Sequence, residues 1–238
     1  MLEIRRLSKD FGGVRAISDF NMTMEQGQKI GIIGPNGAGK TTILNCISQI
    51  VPPDSGEIVM DGINLVGKKR WQVSRTGIAR TFQNIRLFGS MTVLENIMTI
   101  MACLGEKNER RLKERSHALL EKLGWTERTD VEATSLPYGL QRKLELVRAI
   151  ASRPKLLMLD EPAAGLNPTE IGQLIEYINW LHDEHTVSIL MIEHRMELIT
   201  NICDFVFVQN YGQTIAAGTV QEIMNDPLVK KAYLGEED

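Results

Sequence analysis

Cysteine is scarce and scattered. The three present, Cys46, Cys103 and Cys203, lie far apart, with no CxxC pair and no histidine pair beside them. That argues against a disulfide framework or a zinc site and fits a reducing compartment. No apolar run approaches the roughly 18 residues that a membrane-crossing helix needs. Met1–Asp10 already alternates and carries charge, unlike a signal peptide. A basic excess is missing too. Lys and Arg number 27 against 30 Asp and Glu, a formal net charge of -3, whereas a dedicated nucleic-acid binder is usually basic. The expectation is a soluble, intracellular protein that reaches a membrane only through partners. What remains is ordinary globular composition over 238 residues, 43% hydrophobic and 24% charged, enough for one large domain, or a main domain with a small appendage, and a real core. There is no internal repeat and no low-complexity tract.

Short apolar runs ending in glycine or acid recur at Lys29–Ile33, Glu57–Met60, Leu156–Leu159, Val187–Ile192 and Phe205–Val208. Their length and Ile/Val content predict strands buried on both faces of a sheet. Segments of helical period alternate with them near 40–50, 138–152 and 168–184. Asn167-Pro168 supplies the last of these with a cap and a proline at its first position. Strands alternating with helices predict a mostly parallel α/β sheet. The middle differs: from Thr92 to about Gly124 the pattern predicts two helices with no strand between. Thr92-Val93-Leu94-Glu95 is a capping-box sequence. Asn108–Leu123 sets Leu112, Leu119, Leu120 and Leu123 on one side. Lys107, Arg110, Arg111, Lys113 and Arg115 are interleaved with Glu106, Glu109 and Glu114, which reads as a solvated helix face rather than a basic patch.

Gly34-Pro35-Asn36-Gly37-Ala38-Gly39-Lys40-Thr41 satisfies G-x-x-x-x-G-K-[ST] directly after a predicted strand and before a predicted helix. Gly37 and Gly39 let backbone N–H groups turn inward around phosphate oxygens, where a Cβ would obstruct the chain. The N-terminus of the next helix adds a positive dipole end. Lys40 can then reach the β- and γ-phosphates, and the Thr41 hydroxyl can ligate Mg²⁺. With Thr42, these residues form the expected ATP-binding set. By average residue usage the pattern arises by chance in on the order of one chain in a hundred, and its strand–loop–helix setting makes a mere glycine turn less plausible still.

Leu156-Leu157-Met158-Leu159-Asp160 is an apolar strand ending in a carboxylate, as P-loop enzymes use to hold magnesium. Glu161 follows at once. A second acid there suits a hydrolase, which must orient or deprotonate an attacking water. A kinase passing phosphate to a bound substrate has less use for it.

At this point the sequence resembles the ATP-binding cassette (ABC) family over nearly its whole length. Leu136-Pro137-Tyr138-Gly139-Leu140-Gln141-Arg142 sits where that family keeps its signature. Gln83, in Thr81-Phe82-Gln83-Asn84, matches the lid glutamine that touches Mg²⁺ and the attacking water. Ala164-Gly165-Leu166-Asn167 matches the loop that crosses the dimer interface, His194 the switch histidine near the γ-phosphate, and Phe11 the aromatic that stacks on adenine. The resemblance implies a P-loop NTPase core, about residues 1–90 and 153–238, with a mostly parallel sheet and an N-terminal antiparallel β region. It also implies an inserted helical subdomain at about 91–152.

By the same resemblance two such subunits clamp head to tail, each ATP lying between one phosphate loop and the other subunit's Gly139 region. Catalysis then falls to Glu161, His194, Gln83 and Lys40, and metal binding to Thr41, Gln83 and Asp160. The expected partners are a second ATPase subunit, copy or homologue, transmembrane permeases, and indirectly a substrate-binding protein. Phe82, Leu87 and Phe88 are placed to grip a permease helix, which puts the chain on the inner face of the membrane.

The stretches Arg80–Phe88, Leu136–Gly139, Asp160–Pro168 and the ending Ala232-Tyr233-Leu234-Gly235-Glu236 are most similar to the ATPases of branched-chain amino-acid importers. The ATPases of urea and amide importers look much the same. One departure matters. Pro137 stands where the general signature has serine, removing a hydroxyl and an N–H that could bind the γ-phosphate. What is left is the Gly139 N–H and a helix N-terminus. Soluble ABC proteins of the ribosomal or repair kind carry two cassettes or a long coiled coil, and this chain has neither. A GTPase would show Asn-Lys-x-Asp, which is absent.

Overall fold

In the computed structural model, residues 1–230 are described; the Ala232–Glu236 ending lies outside them. Two sheets share one core. The N-terminal sheet is antiparallel, in the order β2-β1-β4-β5. It comprises β1 (Leu2–Phe11), β2 (Val14–Met24), β4 (Ser55–Met60) and β5 (Ile63–Asn64). The second sheet has six strands in the order β10-β9-β3-β8-β7-β6. These are β3 (Lys29–Ile33), β6 (Ile78–Arg80), β7 (Leu156–Asp160), β8 (Ser188–Ile192), β9 (Phe205–Asn210) and β10 (Gln213–Thr219). All its pairings are parallel except the β9–β10 hairpin.

Successive residues of the parallel strands point to opposite faces, and both faces are covered. Ile32, Met158 and Ile192 pack with α1 (Lys40–Ile47) and the antiparallel sheet. Ile33, Leu159 and Met191 pack with α6 (Pro168–His185) and α7 (Met196–Ile202). This is why those strands read as unbroken apolar runs. One expectation needs correction. The Glu57–Met60 run is not buried on both faces: it belongs to β4, where Ile58 and Met60 are buried and Glu57 is exposed. Two residues decide which face is wet, and an apolar run that short does not reveal it.

α2 (Arg70–Arg75) precedes β6, and β6 leads into a helical region with a separate core. There α3 (Val93–Cys103), α4 (Glu109–Lys122) and α5 (Tyr138–Ala151) each bury residues at helical spacing: Val93, Ile97 and Met101; Leu112 and Leu120; Leu144, Val147 and Ala151. The caps are the ones the sequence announces. Thr92 Oγ1 accepts from Glu95 N while Glu95 reaches back to Thr92 N, and Asn167 does the same with Glu170 ahead of Pro168. After β10 the described chain closes with α8 (Val220–Asn225) and α9 (Pro227–Val229). No described helix is long and apolar enough to cross a membrane.

Candidate active site

The loop after β3 turns through Gly34, Gly37 and Gly39, at φ 147, 81 and 97. A Cβ on Gly34 would stand 2.1 Å from the Gln209 carbonyl oxygen, and one on Gly39 would stand 2.0 Å from that of Ala16. Gly34 and Gly39 are therefore demanded by protein backbone pressed against the outside of the loop. Gly37 has open space around it and is required by its conformation alone. The expected obstruction by a Cβ is met at Gly39, where it comes from the Ala16 backbone. A hairpin braces the loop further, as Gly212 N donates to Ala38 O (3.2 Å) and Ser18 N to Gly212 O (2.7 Å).

Gly39 caps α1. Pro35, Asn36 and Gly37 are exposed on the loop, Ala38 is buried beneath it, and Thr42 is half-buried in the first turn. Lys40 is buried and its ammonium lies across the loop, donating to the carbonyls of Gly34 (2.7 Å) and Pro35 (2.9 Å). Burial pulls its pKa down, opposed by the negative charge of Glu161, Asp160 and Glu193.

Thr41 Oγ1 donates to Asp160 Oδ1 at 3.4 Å. The other carboxylate oxygen, Oδ2, accepts from Arg80 Nη2 at 2.8 Å in a buried ion pair. Arg80 Nη1 also donates to Asn45 Oδ1 and Ser48 Oγ, both at 2.8 Å. Asp160 is thus fixed on one side and presents one oxygen, beside the Thr41 hydroxyl, to the loop. Hard oxygen donors paired this way next to a phosphate loop fit Mg²⁺.

Glu161 takes a left-handed backbone, φ 48, with its N–H on Ile192 O at 2.9 Å. A non-glycine residue held there costs about 1–3 kcal/mol. Gln83 Nε2 donates to Glu161 Oε2 at 2.8 Å. The structure therefore pairs Thr41 with Asp160 and Gln83 with Glu161, and the charges of both acids act on Lys40.

The remaining sequence-derived residues surround this cluster. His194 is half-exposed after β8, its Nδ1 3.6 Å from Glu193 Oε2. Phe11 is 47% exposed at the tip of the β1–β2 hairpin, whose Ala16 touches Gly39. Gly139 is in the first turn of α5. A Cβ there would stand 2.7 Å from the Glu170 carboxylate. Pro137 caps that helix, its carbonyl accepting from Leu140 N and Gln141 N.

Two residues escaped the sequence reading. Arg80 was in view only as part of a matching stretch, and its buried pairing depends on β6 lying beside β7. Glu193 is fully buried, and its carboxylate gathers the N–H groups of Ala163 (3.1 Å), His194 (2.8 Å) and Arg195 (2.9 Å). It joins the loop after Glu161 to the one carrying His194. The available signal was a lone acid directly after an apolar strand, which alone is weak.

A family model described as ABC transporter matches residues 17–164. The chain belongs to the ABC transporter family. It is an ATPase of that family, and a second model, described as branched-chain amino acid ATP-binding cassette transporter, matches residues 213–238. Among curated relatives, the high-affinity branched-chain amino acid transport ATP-binding protein BraF of Pseudomonas aeruginosa is 42% identical, over 99% of this chain and 98% of its own length. LivG of Escherichia coli, of the same description, is 40% identical over the same shares. A probable LivG of Archaeoglobus fulgidus is 35% identical over 100% of this chain and 96% of its own. The crystal structure of the ADP conformation of an ABC-transporter cassette superposes with a TM-score of 0.89 at 30% identity, covering 99% of each chain.

Proposed function

We propose that this ABC ATPase hydrolyses ATP to drive an importer of branched-chain amino acids. It would work as one of two paired cassettes docked on transmembrane permeases and supplied by a substrate-binding protein. The full-length similarity to BraF and LivG carries the substrate assignment. The convergence of Lys40, Thr41, Asp160, Gln83 and Glu161 supports the chemistry.

ATP stacks its base on Phe11 and lays its phosphates along Gly34–Thr42, where Lys40 exchanges the Gly34 and Pro35 carbonyls for phosphate oxygens. Thr41, Asp160 and Gln83 would hold Mg²⁺, which would neutralise phosphate charge when bound. Glu161 orients the attacking water and accepts its proton, with Gln83 holding the carboxylate in place. His194 and Lys40 stabilise charge on the γ-phosphoryl as it transfers. The partner subunit offers its own signature helix N-terminus to the same phosphate, as Gly139 does in return.

A groove of about 260 Å³ beside the lid, lined by Arg80, Phe82, Ile100 and Arg148 among others, suits a permease helix. At its margin Phe88 is 40% exposed with Arg148 over its ring, while Leu87 turns inward onto the helical core. The division into a core at about 1–90 and 153–238 and a helical part at 91–152 belongs to this reading. The test is uptake of radiolabelled leucine by cells whose only copy of this protein carries Glu161→Gln. Uptake should vanish, and unchanged uptake would overturn the assignment.

A further inference from the structure

The lid changes allegiance within one peptide unit. Thr81 N still donates to Met158 O at 2.9 Å, extending the sheet ladder. From Phe82 onward the backbone is held by helices. Arg142 Nη1 donates to Phe82 O at 2.9 Å and Nη2 to Gln83 O at 2.7 Å. Glu145 Oε2 accepts from Arg142 Nη1 at 3.0 Å, and its Oε1 accepts from Arg86 N at 3.1 Å. Phe88 N donates to Asn96 Oδ1 at 2.9 Å.

Arg142 and Glu145 are 0% and 1% exposed. A buried ion pair is weak evidence of stabilisation, since apolar residues of similar size often do as well. What apolar residues cannot do is span two consecutive carbonyls with a planar fork. Arg142 also reaches the opposite way. Its Nη2 donates to Tyr138 Oη at 3.4 Å, and Tyr138 Oη donates to Ala164 O at 3.1 Å. The Tyr138 ring underlies Gly165, where a Cβ would stand 3.1 Å from the ring edge.

We propose that Arg142, braced by Glu145 and Tyr138, is a positioning residue that fixes the backbone aiming the Gln83 amide at Glu161. The same helix carries Gly139 toward the facing nucleotide. A shift of α5 on one ATP therefore moves the lid of the other, and through Tyr138 it reaches the Ala164–Gly165 loop. This rests on reading Gln83 as the lid of a hydrolytic site.

The test uses the full chain with Arg142→Met and Glu145→Met together, which removes both members of the fully buried ion pair at once. Arg142→Lys serves as a second variant that keeps the charge but not the fork. Amide hydrogen exchange at residues 82–88 should accelerate at least ten-fold while β7 is unchanged. The kcat for ATP should fall about ten-fold or more, as for a misplaced catalytic group, with KM within about two-fold. Adding Gln83→Ala to either variant should cost less than a further two-fold, because the amide is already misdirected. Tyr138→Phe should give a smaller change of the same kind.

Unchanged exchange at 82–88, or losses that multiply with Gln83→Ala, would overturn the proposal and leave the lid reading intact. Full kcat in Gln83→Ala alone would overturn the lid reading and the proposal with it. A loss in the paired variant accompanied by faster exchange throughout β7 would mark a general structural role and also overturn it.

Discussion

The phosphate loop and the lid border the same candidate site, yet they are held in opposite ways. Gly34 and Gly39 are pressed against the backbones of Gln209 and Ala16, and Gly212 ties the loop to β2, its N–H donating to Ala38 O and its carbonyl accepting from Ser18 N. The lid, from Phe82 to Phe88, hangs on side chains: the Arg142 fork, Glu145, Asn96 and the Gln83 amide itself. Backbone packed on backbone gives a rigid mould that has no room for an added atom at Gly34 or Gly39. Side-chain clamps from α3 and α5 tie the lid to the helices, so the lid can follow them while the loop stays with the sheet. On the proposed reading, binding falls to the rigid region and the timing of hydrolysis to the adjustable one.

The largest expected effect separates those two tasks. Glu161→Gln keeps the shape of the site and loses the base, so turnover should drop by roughly 10²–10⁴-fold while ATP affinity stays within a few-fold. Steady-state hydrolysis alongside equilibrium nucleotide binding checks it. If both fall together, the rigid and adjustable regions are not separable. Next comes Gly39→Ala, which forces a side chain into φ 97 and against the Ala16 carbonyl. A penalty of about 3 kcal/mol, or roughly a hundred-fold in affinity, should appear by calorimetry. Gly37→Ala, with open space around it, should cost visibly less.

Phe11→Ala should weaken ATP binding about ten-fold, since base–aromatic stacking contributes about 1–3 kcal/mol. Phe11→Tyr and Phe11→Trp should do less harm, and equal affinity across all three would remove Phe11 from the site. The smallest effect is expected at Pro137. Restoring serine returns an N–H and a hydroxyl beside Gly139, and should raise turnover about two- to five-fold if the facing γ-phosphate lacks a donor. No rise would mean that the Gly139 N–H and the helix terminus suffice. If the paired cassette has a fuller signature, Glu161→Gln here should cost more activity than the same change in that partner.

Local rules made much of this legible. The glycine spacing, Lys40 and Thr41 needed nothing beyond the strand and helix on either side. The caps at Thr92 and Asn167 are short-range hydrogen bonds, and both formed as written. The five apolar runs were found, but that of β4 was assigned the wrong burial, because its dry face is decided by the layer packed on one side of its sheet, where Ile58 and Met60 join α1 and the parallel strands. β6, only three residues long, and β10, with a single buried residue, carry too little pattern to stand out.

The sequence by itself determined that a phosphate loop follows a buried strand, that a second strand ends in paired carboxylates, and that a helical segment interrupts the α/β alternation. Each depends on residues within a turn or two of one another, where spacing dictates geometry. Only the tertiary structure decided that Arg80 anchors Asp160 from 80 positions away, that Glu193 gathers N–H groups from two loops, and that Arg142 grips the lid from 59 and 60 positions away. Those contacts satisfy buried charges and carbonyls that must find partners somewhere. Which partner each finds depends on which strands and helices come to lie side by side.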